Sequence, residues 1–145
     1  MKLLCIVGLL ALSACSKTPF VTRTIQVDGR PLTVEVASTY DARRQGVMGK
    51  DGLTDEQGVF FMYPEEANLG FWMKTVTFPL DIAFVRSDGT IARIAQMQPF
   101  VTTSTPSLQP VQYALEMREG WFADHDVVVG EKITGIPTDL EAEPR

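Results

Sequence analysis

Leu80-Asp81-Ile82-Ala83-Phe84-Val85-Arg86-Ser87-Asp88-Gly89-Thr90-Ile91-Ala92-Arg93-Ile94-Ala95-Gln96-Met97 is the stretch that decides the fold class. Two strand-like runs, Leu80 to Arg86 and Ile91 to Met97, flank Ser87-Asp88-Gly89-Thr90. An Asp-Gly turn between such runs is the strongest short-range signal of a β-hairpin. Along the first run Leu80, Ile82 and Phe84 face one side, and Asp81, Ala83 and Val85 the other. Both sides are largely apolar, so this strand is expected to be central and covered on both faces.

The same signals recur outward from that hairpin. Val21, Arg23, Ile25 and Val27 alternate with Thr22, Thr24 and Gln26; Asp28-Gly29 turns; Leu32, Val34 and Val36 alternate with Thr33 and Glu35. This is a second hairpin. Ser38-x-x-Asp41 resembles a capping box and predicts a short helix through Ala42 to Gln45, ended by Gly46 or Gly49. Asp51 to Gln57 reads as loop, Val59 to Tyr63 as a strand, Pro64 to Asn68 as a connection, and Phe71 to Lys74 as strand-like. Pro99 to Pro110, rich in Thr, Ser and Pro, reads as a surface loop. Tyr113, Leu115 and Met117 mark a further strand, and Gly120 to His125 a helical turn. Many short strands with one or two short helices predict a mainly β domain over residues 21–134, a small antiparallel β-barrel or sandwich. Residues 135–145, with prolines and acids, read as a disordered acidic tail.

The N-terminus carries an address. Met1-Lys2, an apolar run from Leu3 to Leu12, and Ser13-Ala14-Cys15 supply the three parts of a secretory signal. The run is too short for a bilayer-spanning helix, which needs about 20 apolar residues. Leu12-Ser13-Ala14-Cys15 resembles a lipobox, so residues 1–14 read as a signal peptide and Cys15 as the lipidated first residue of a tether over 15–20. Of the two cysteines, Cys5 leaves with the signal peptide, so the mature chain has no disulfide and acylation accounts for its one thiol. Ser16 stands where the inner-membrane retention signal of enteric lipoproteins has Asp. The expected location is therefore the outer membrane, facing the periplasm. Loss of Lys2 takes the net charge from −5 to about −6, and no Lys/Arg cluster appears. Nucleic acid is thus an unsuitable partner, and attachment to the membrane falls to the lipid.

Gly46-Val47-Met48, Gly58-Val59-Phe60-Phe61, Phe71-Trp72-Met73-Lys74 and Pro79-Leu80-Asp81-Ile82-Ala83-Phe84 together resemble the family called domain of unknown function 192. The resemblance runs on through Asp88-Gly89, Ile91, Met97, Leu115-Glu116 and Gly130-Glu131-Lys132-Ile133. It implies a mainly β fold and no established activity. Two departures stand out: Thr75-Val76 where the family usually has Asn-Thr, and Gly49-Lys50 where it usually has an aromatic residue and Arg.

Charges set in apolar strands mark candidate sites. A carboxylate at Asp81 or Glu116 needs a partner or water, since a lone buried charge is costly. Lys74 is the nearest cation in sequence to Asp81. One reading brings Trp72, Lys74, Asp81, Tyr113 and Glu116 together as a pocket for a small ligand. A second makes Lys74 and Asp81 a structural ion pair, with Glu116 capping a turn or facing water. A third uses Asp81, Lys74 and Glu116 for hydrolytic acid–base work in an envelope enzyme, although no nucleophile elbow or histidine triad accompanies them. Met48, Met62, Met73, Met97 and Met117 would suit Cu(I) if they converged, or core packing if they did not. His125, between Asp124 and Asp126, reads as a solvated turn and not as a metal ligand. The expected function is non-catalytic binding of a small molecule or an envelope partner by a lipid-anchored domain, with no cofactor or metal.

Overall fold

Asp28 and Gly29 both adopt positive φ, 46° and 74°. This is the two-residue turn whose twist matches its flanking strands, and it joins β1 (Val21–Val27) to β2 (Arg30–Ala37) with Val27 opposite Arg30. The computed structural model describes residues 20–144. The expected signal peptide, Cys15 and all of the tether before Phe20 lie outside the described residues. After β2 come α1 (Tyr40–Gln45), β3 (Val59–Ala67), β4 (Gly70–Phe71), β5 (Leu80–Val85), β6 (Ile91–Met97), β7 (Thr105–Pro106), β8 (Val111–Arg118), α2 (Trp121–Asp124) and β9 (Ile133–Thr134).

Seven strands form one sheet in the order β6-β5-β8-β3-β2-β1-β9, and β4 pairs with β7 in a separate ribbon. The sheet is antiparallel except between β2 and β3, which run parallel with Val36 opposite Phe60. A parallel pair needs a crossover, and α1 with the loop after it provides one. The sheet curls until its two edges meet at one end. Thr90 and Lys132 form a bridge, Ile91 N donates to Glu131 O at 2.8 Å, and Ile133 N donates to Gly89 O at 2.8 Å. Gly89 permits this closure: a Cβ there would lie 2.3 Å from Ile133 O. The fold is thus a mainly β half-barrel with two short helices.

Each face of the sheet has its own core. Inside the curl lie Ile25, Val34, Phe60, Ala83, Val85, Leu115 and Trp121. On the outer face lie Phe61, Leu80, Ile82, Phe84 and Ala114, covered by Val47, Leu69, Phe71, Met73 and Val76 from the segments around α1 and β4. All six residues of β5 are buried, as expected for a central strand.

Local differences from the expectations have simple causes. The helix cap is Thr39, whose Oγ1 accepts from Ala42 N at 3.1 Å, one residue beyond Ser38. β3 continues past Pro64 to Ala67 through an irregular register, which tolerates a residue without an N–H. The strand expected over Phe71 to Lys74 is confined to Gly70–Phe71. The expected surface loop contains β7 and a buried Ser107, whose Oγ accepts from Leu69 N at 3.0 Å. Residues 135–144 are laid against the barrel and not splayed from it. Ile136, Leu140 and Ala142 pack on the inner core, and Arg43 donates to the carbonyls of Ser38, Met62, Glu143 and Pro144. Glu143 in turn accepts from Tyr40 N at 2.8 Å.

Candidate functional site

Alternation along β8 sends Leu115 and Met117 into the curl and Ala114 and Glu116 to the outer face. Glu116 lies opposite Val59 on β3 and Ile82 on β5, both fully buried. Its carboxyl is therefore set in an apolar sheet surface. The covering segments do not close over it. They leave an open cavity of about 580 Å³, with Glu116 among its lining residues. Val47, Phe61, Leu69, Phe71 and Val76 form the buried apolar walls. Tyr40, Arg44, Met48, Trp72 and Lys74 border the same cavity and are exposed, which places them at its mouth.

Glu116 is 5% exposed, and its Oε2 has no hydrogen-bond partner. Burial alone pushes its carboxyl up to about 8, since desolvation penalises the charged form. At neutral pH it is chiefly a neutral acid, able both to donate and to accept a hydrogen bond. An apolar cavity with one such group can fix the orientation of a small molecule through a single polar contact. Among the described residues no histidine, cysteine, serine or second carboxylate lines the cavity. Arg43 also borders it, but its donors are spent on backbone carbonyls and its guanidinium lies 4.9 Å from the Tyr63 ring. Arg44 rests over Tyr40 at 5.6 Å.

The structure divides the residues singled out by sequence. Trp72, Lys74 and Glu116 share the cavity. Asp81 does not. It points into the curl, where its Oδ2 accepts from Gly120 N at 3.0 Å, at the start of α2. Burial raises its carboxyl above the ordinary range, with that hydrogen bond opposing. Tyr113 is also inside, stacked on Phe60 with centroids 5.5 Å apart. Among the described residues Lys74 has no ion-pair partner, so the expected Lys74–Asp81 pair does not form. The methionines do not converge: Met62 and Met117 pack in the inner core, Met73 and Met97 in the outer one, and Met48 is exposed at the mouth. His125 is fixed beside α2, its Nε2 3.1 Å from Asp55 and its ring 4.4 Å from that of Trp121. Arg118 bridges Asp55 and Asp124 in the same cluster and holds the Asp55 carboxyl below its usual range.

Most walls of the cavity were not singled out as site residues by sequence. Phe61, Phe71 and Val47 look like ordinary core residues, and only the gap between them distinguishes them. One signal did point there. Thr75 and Val76, which depart from the family pattern, line the cavity, and Thr75 Oγ1 donates to Met48 Sδ at 2.9 Å, next to the other departing pair, Gly49-Lys50.

A half-barrel with a buried acid under an apolar opening defines the class of protein by shape. The comparisons supply the family. The chain matches the family described as "Uncharacterized ACR, COG1430", domain of unknown function 192, over residues 23–135, and it belongs to that family. Among solved structures it is similar to a protein from Sinorhizobium meliloti 1021 provisionally described as a transcription regulator. The two are 30% identical with a TM-score of 0.76, over 81% of this chain and 95% of that one. It is also similar to a protein of unknown function from Novosphingobium aromaticivorans DSM 12444, at 30% identity and a TM-score of 0.68, over 85% and 90% of the two chains. No curated protein matches it.

Proposed function

We propose that this domain binds a small, largely apolar molecule in the cavity over Glu116, without transforming it, while a lipid on Cys15 holds the protein at the cell envelope. The observation that carries the binding reading is the unpartnered, buried Glu116 carboxyl in an apolar cavity that remains open. Leaving a buried polar atom without a partner costs roughly 1–3 kcal/mol, and a ligand's hydroxyl, carbonyl or amine would recover that cost. Arg44 and Lys74 at the mouth suit a ligand that also carries an anionic group.

The competing readings find less support. An envelope enzyme using Asp81, Lys74 and Glu116 would need the two carboxylates at one site, and they lie on opposite faces of the sheet. A copper carrier would need its thioethers together, and they are split between two cores. The regulator description of the Sinorhizobium protein gains no support from this sequence, which is acidic overall with a net charge of −5.

The test is a thermal-shift screen of the protein against envelope metabolites, fatty acids and glycans. A ligand of the folded state raises apparent stability, and Glu116→Leu, which deletes the polar contact, should remove the shift for any compound that produces one in the wild type. Equal shifts in both proteins would place the ligand elsewhere. For the tether, cells fed an alkynyl fatty acid should label the wild type and leave Cys15→Ala unlabelled. An unlabelled wild type would remove the anchor.

A further inference from the structure

Five of the nine large apolar side chains that are exposed among the described residues lie at or beside the cavity mouth. Trp72 is 70% exposed, and Met48 and Tyr40 border the same opening. Phe100 and Val101 stand beside them, because Phe100 N donates to Met73 O at 3.0 Å and Met73 N donates to Val101 O at 3.1 Å. Phe100 is held at φ 64° with its side chain 63% exposed. A bulky residue in the left-handed region is strained, and here the ring gains no burial in return. Arg44 and Lys74 make this mouth locally cationic on a chain of net charge −5.

The origin of the tether is on the same side. Phe20 packs against the outer core that walls the cavity. The register Val21 to Val36 and Ala37 to Phe61 puts Phe20 two strands from Phe61, about 10 Å away at ordinary strand spacing. Cys15 is five residues before Phe20, a reach of at most about 18 Å. A lipid on Cys15 would thus hold the mouth, and not the closed end of the barrel, beside the membrane. Exposed Trp and Phe flanked by Lys and Arg are the side chains suited to the boundary between headgroups and acyl chains.

We infer that the cavity mouth docks onto the phospholipid bilayer, with Trp72 and Phe100 seated at the headgroup–acyl boundary and Arg44 and Lys74 among the phosphates. The inference rests on the Cys15 tether proposed above. Trp72 and Trp121 are the only tryptophans, and Trp121 is 1% exposed inside the curl, so Trp72 reports contact. The full acylated chain is placed on vesicles of phosphatidylethanolamine and phosphatidylglycerol, with and without brominated acyl chains. The expected result is flotation with the vesicles and bromine quenching that Trp72→Phe removes and Phe100→Ser weakens. Flotation with no quenching, or with quenching unchanged in Trp72→Phe, overturns the docking and leaves the tether standing. Failure to float overturns the tether and the docking together.

Discussion

Asp81 and Glu116 sit on adjacent antiparallel strands, one register step apart, and leave opposite faces of the sheet. Ile82 is opposite Glu116, and Asp81 is opposite Met117. Asp81 is therefore grouped with the residues inside the curl, where it meets Gly120 N, while Glu116 borders the outer cavity. Two acids that share a short stretch of sheet serve different ends: one holds the start of α2, the other is the polar point of an apolar opening.

Asp81→Asn and Glu116→Gln should accordingly be additive. Residues without shared partners couple by less than about 0.5 kcal/mol, and urea melts of the two single variants and the double variant measure this. A coupling energy above about 1 kcal/mol would mean that the two carboxyls act as one site.

Ile82 and Phe84 project from β5 into the outer core and are fully buried. Phe84 also meets Phe71 edge-on with centroids 5.8 Å apart. Ile82→Ala or Phe84→Ala should cost about 2–5 kcal/mol, the lost transfer energy plus that of the cavity left behind. A loss below about 1 kcal/mol would show that this face is not a packed core.

Lys74 is exposed and has no ion pair among the described residues. Lys74→Met should change stability by no more than about 0.5 kcal/mol, while weakening any anionic compound found in the ligand screen. Had Lys74 been paired in the interior, its removal would cost about 3–5 kcal/mol, so denaturation of this one variant separates the two arrangements.

Much of this fold is legible locally, and the parts that are not share a cause. The hairpins at Asp28-Gly29 and Asp88-Gly89 announce themselves because turn chemistry and period-two alternation are short-range. The doubly apolar run Leu80 to Val85 likewise reveals a central strand. The parallel pairing of Val36 with Phe60 is invisible until a crossover is placed. The separation of Asp81 from Glu116 depends on how β5 registers against β8, which neither strand states alone. Residues 135–144 look like a free tail because prolines and acids separate their few apolar side chains. What holds them is distant in the chain: the inner core beneath Ile136, Leu140 and Ala142, and Arg43, about a hundred positions earlier. Lys74 and Glu116 are detectable because a charged residue interrupts each apolar segment. The walls Phe61 and Phe71 interrupt nothing.

The ionisation of Glu116 is the most direct test of the whole account. Its carboxyl is pushed from an ordinary 4.5 to about 8 by burial, so the folded state favours the protonated form. The stability this contributes is fully present below about 4.5 and is lost as pH rises through about 8. The slope between those limits approaches about 1.4 kcal/mol per pH unit. Glu116→Gln, neutral at every pH, should remove that slope and be roughly 3 kcal/mol more stable than the wild type at pH 7. The decisive measurement is the ¹³C chemical shift of the Glu116 side-chain carboxyl, followed through a pH titration of the folded protein. A midpoint near 8 is the predicted result. A midpoint near 4.5 would contradict it, because the carboxyl would then be solvated and the cavity would lack the buried acid on which the proposed function rests.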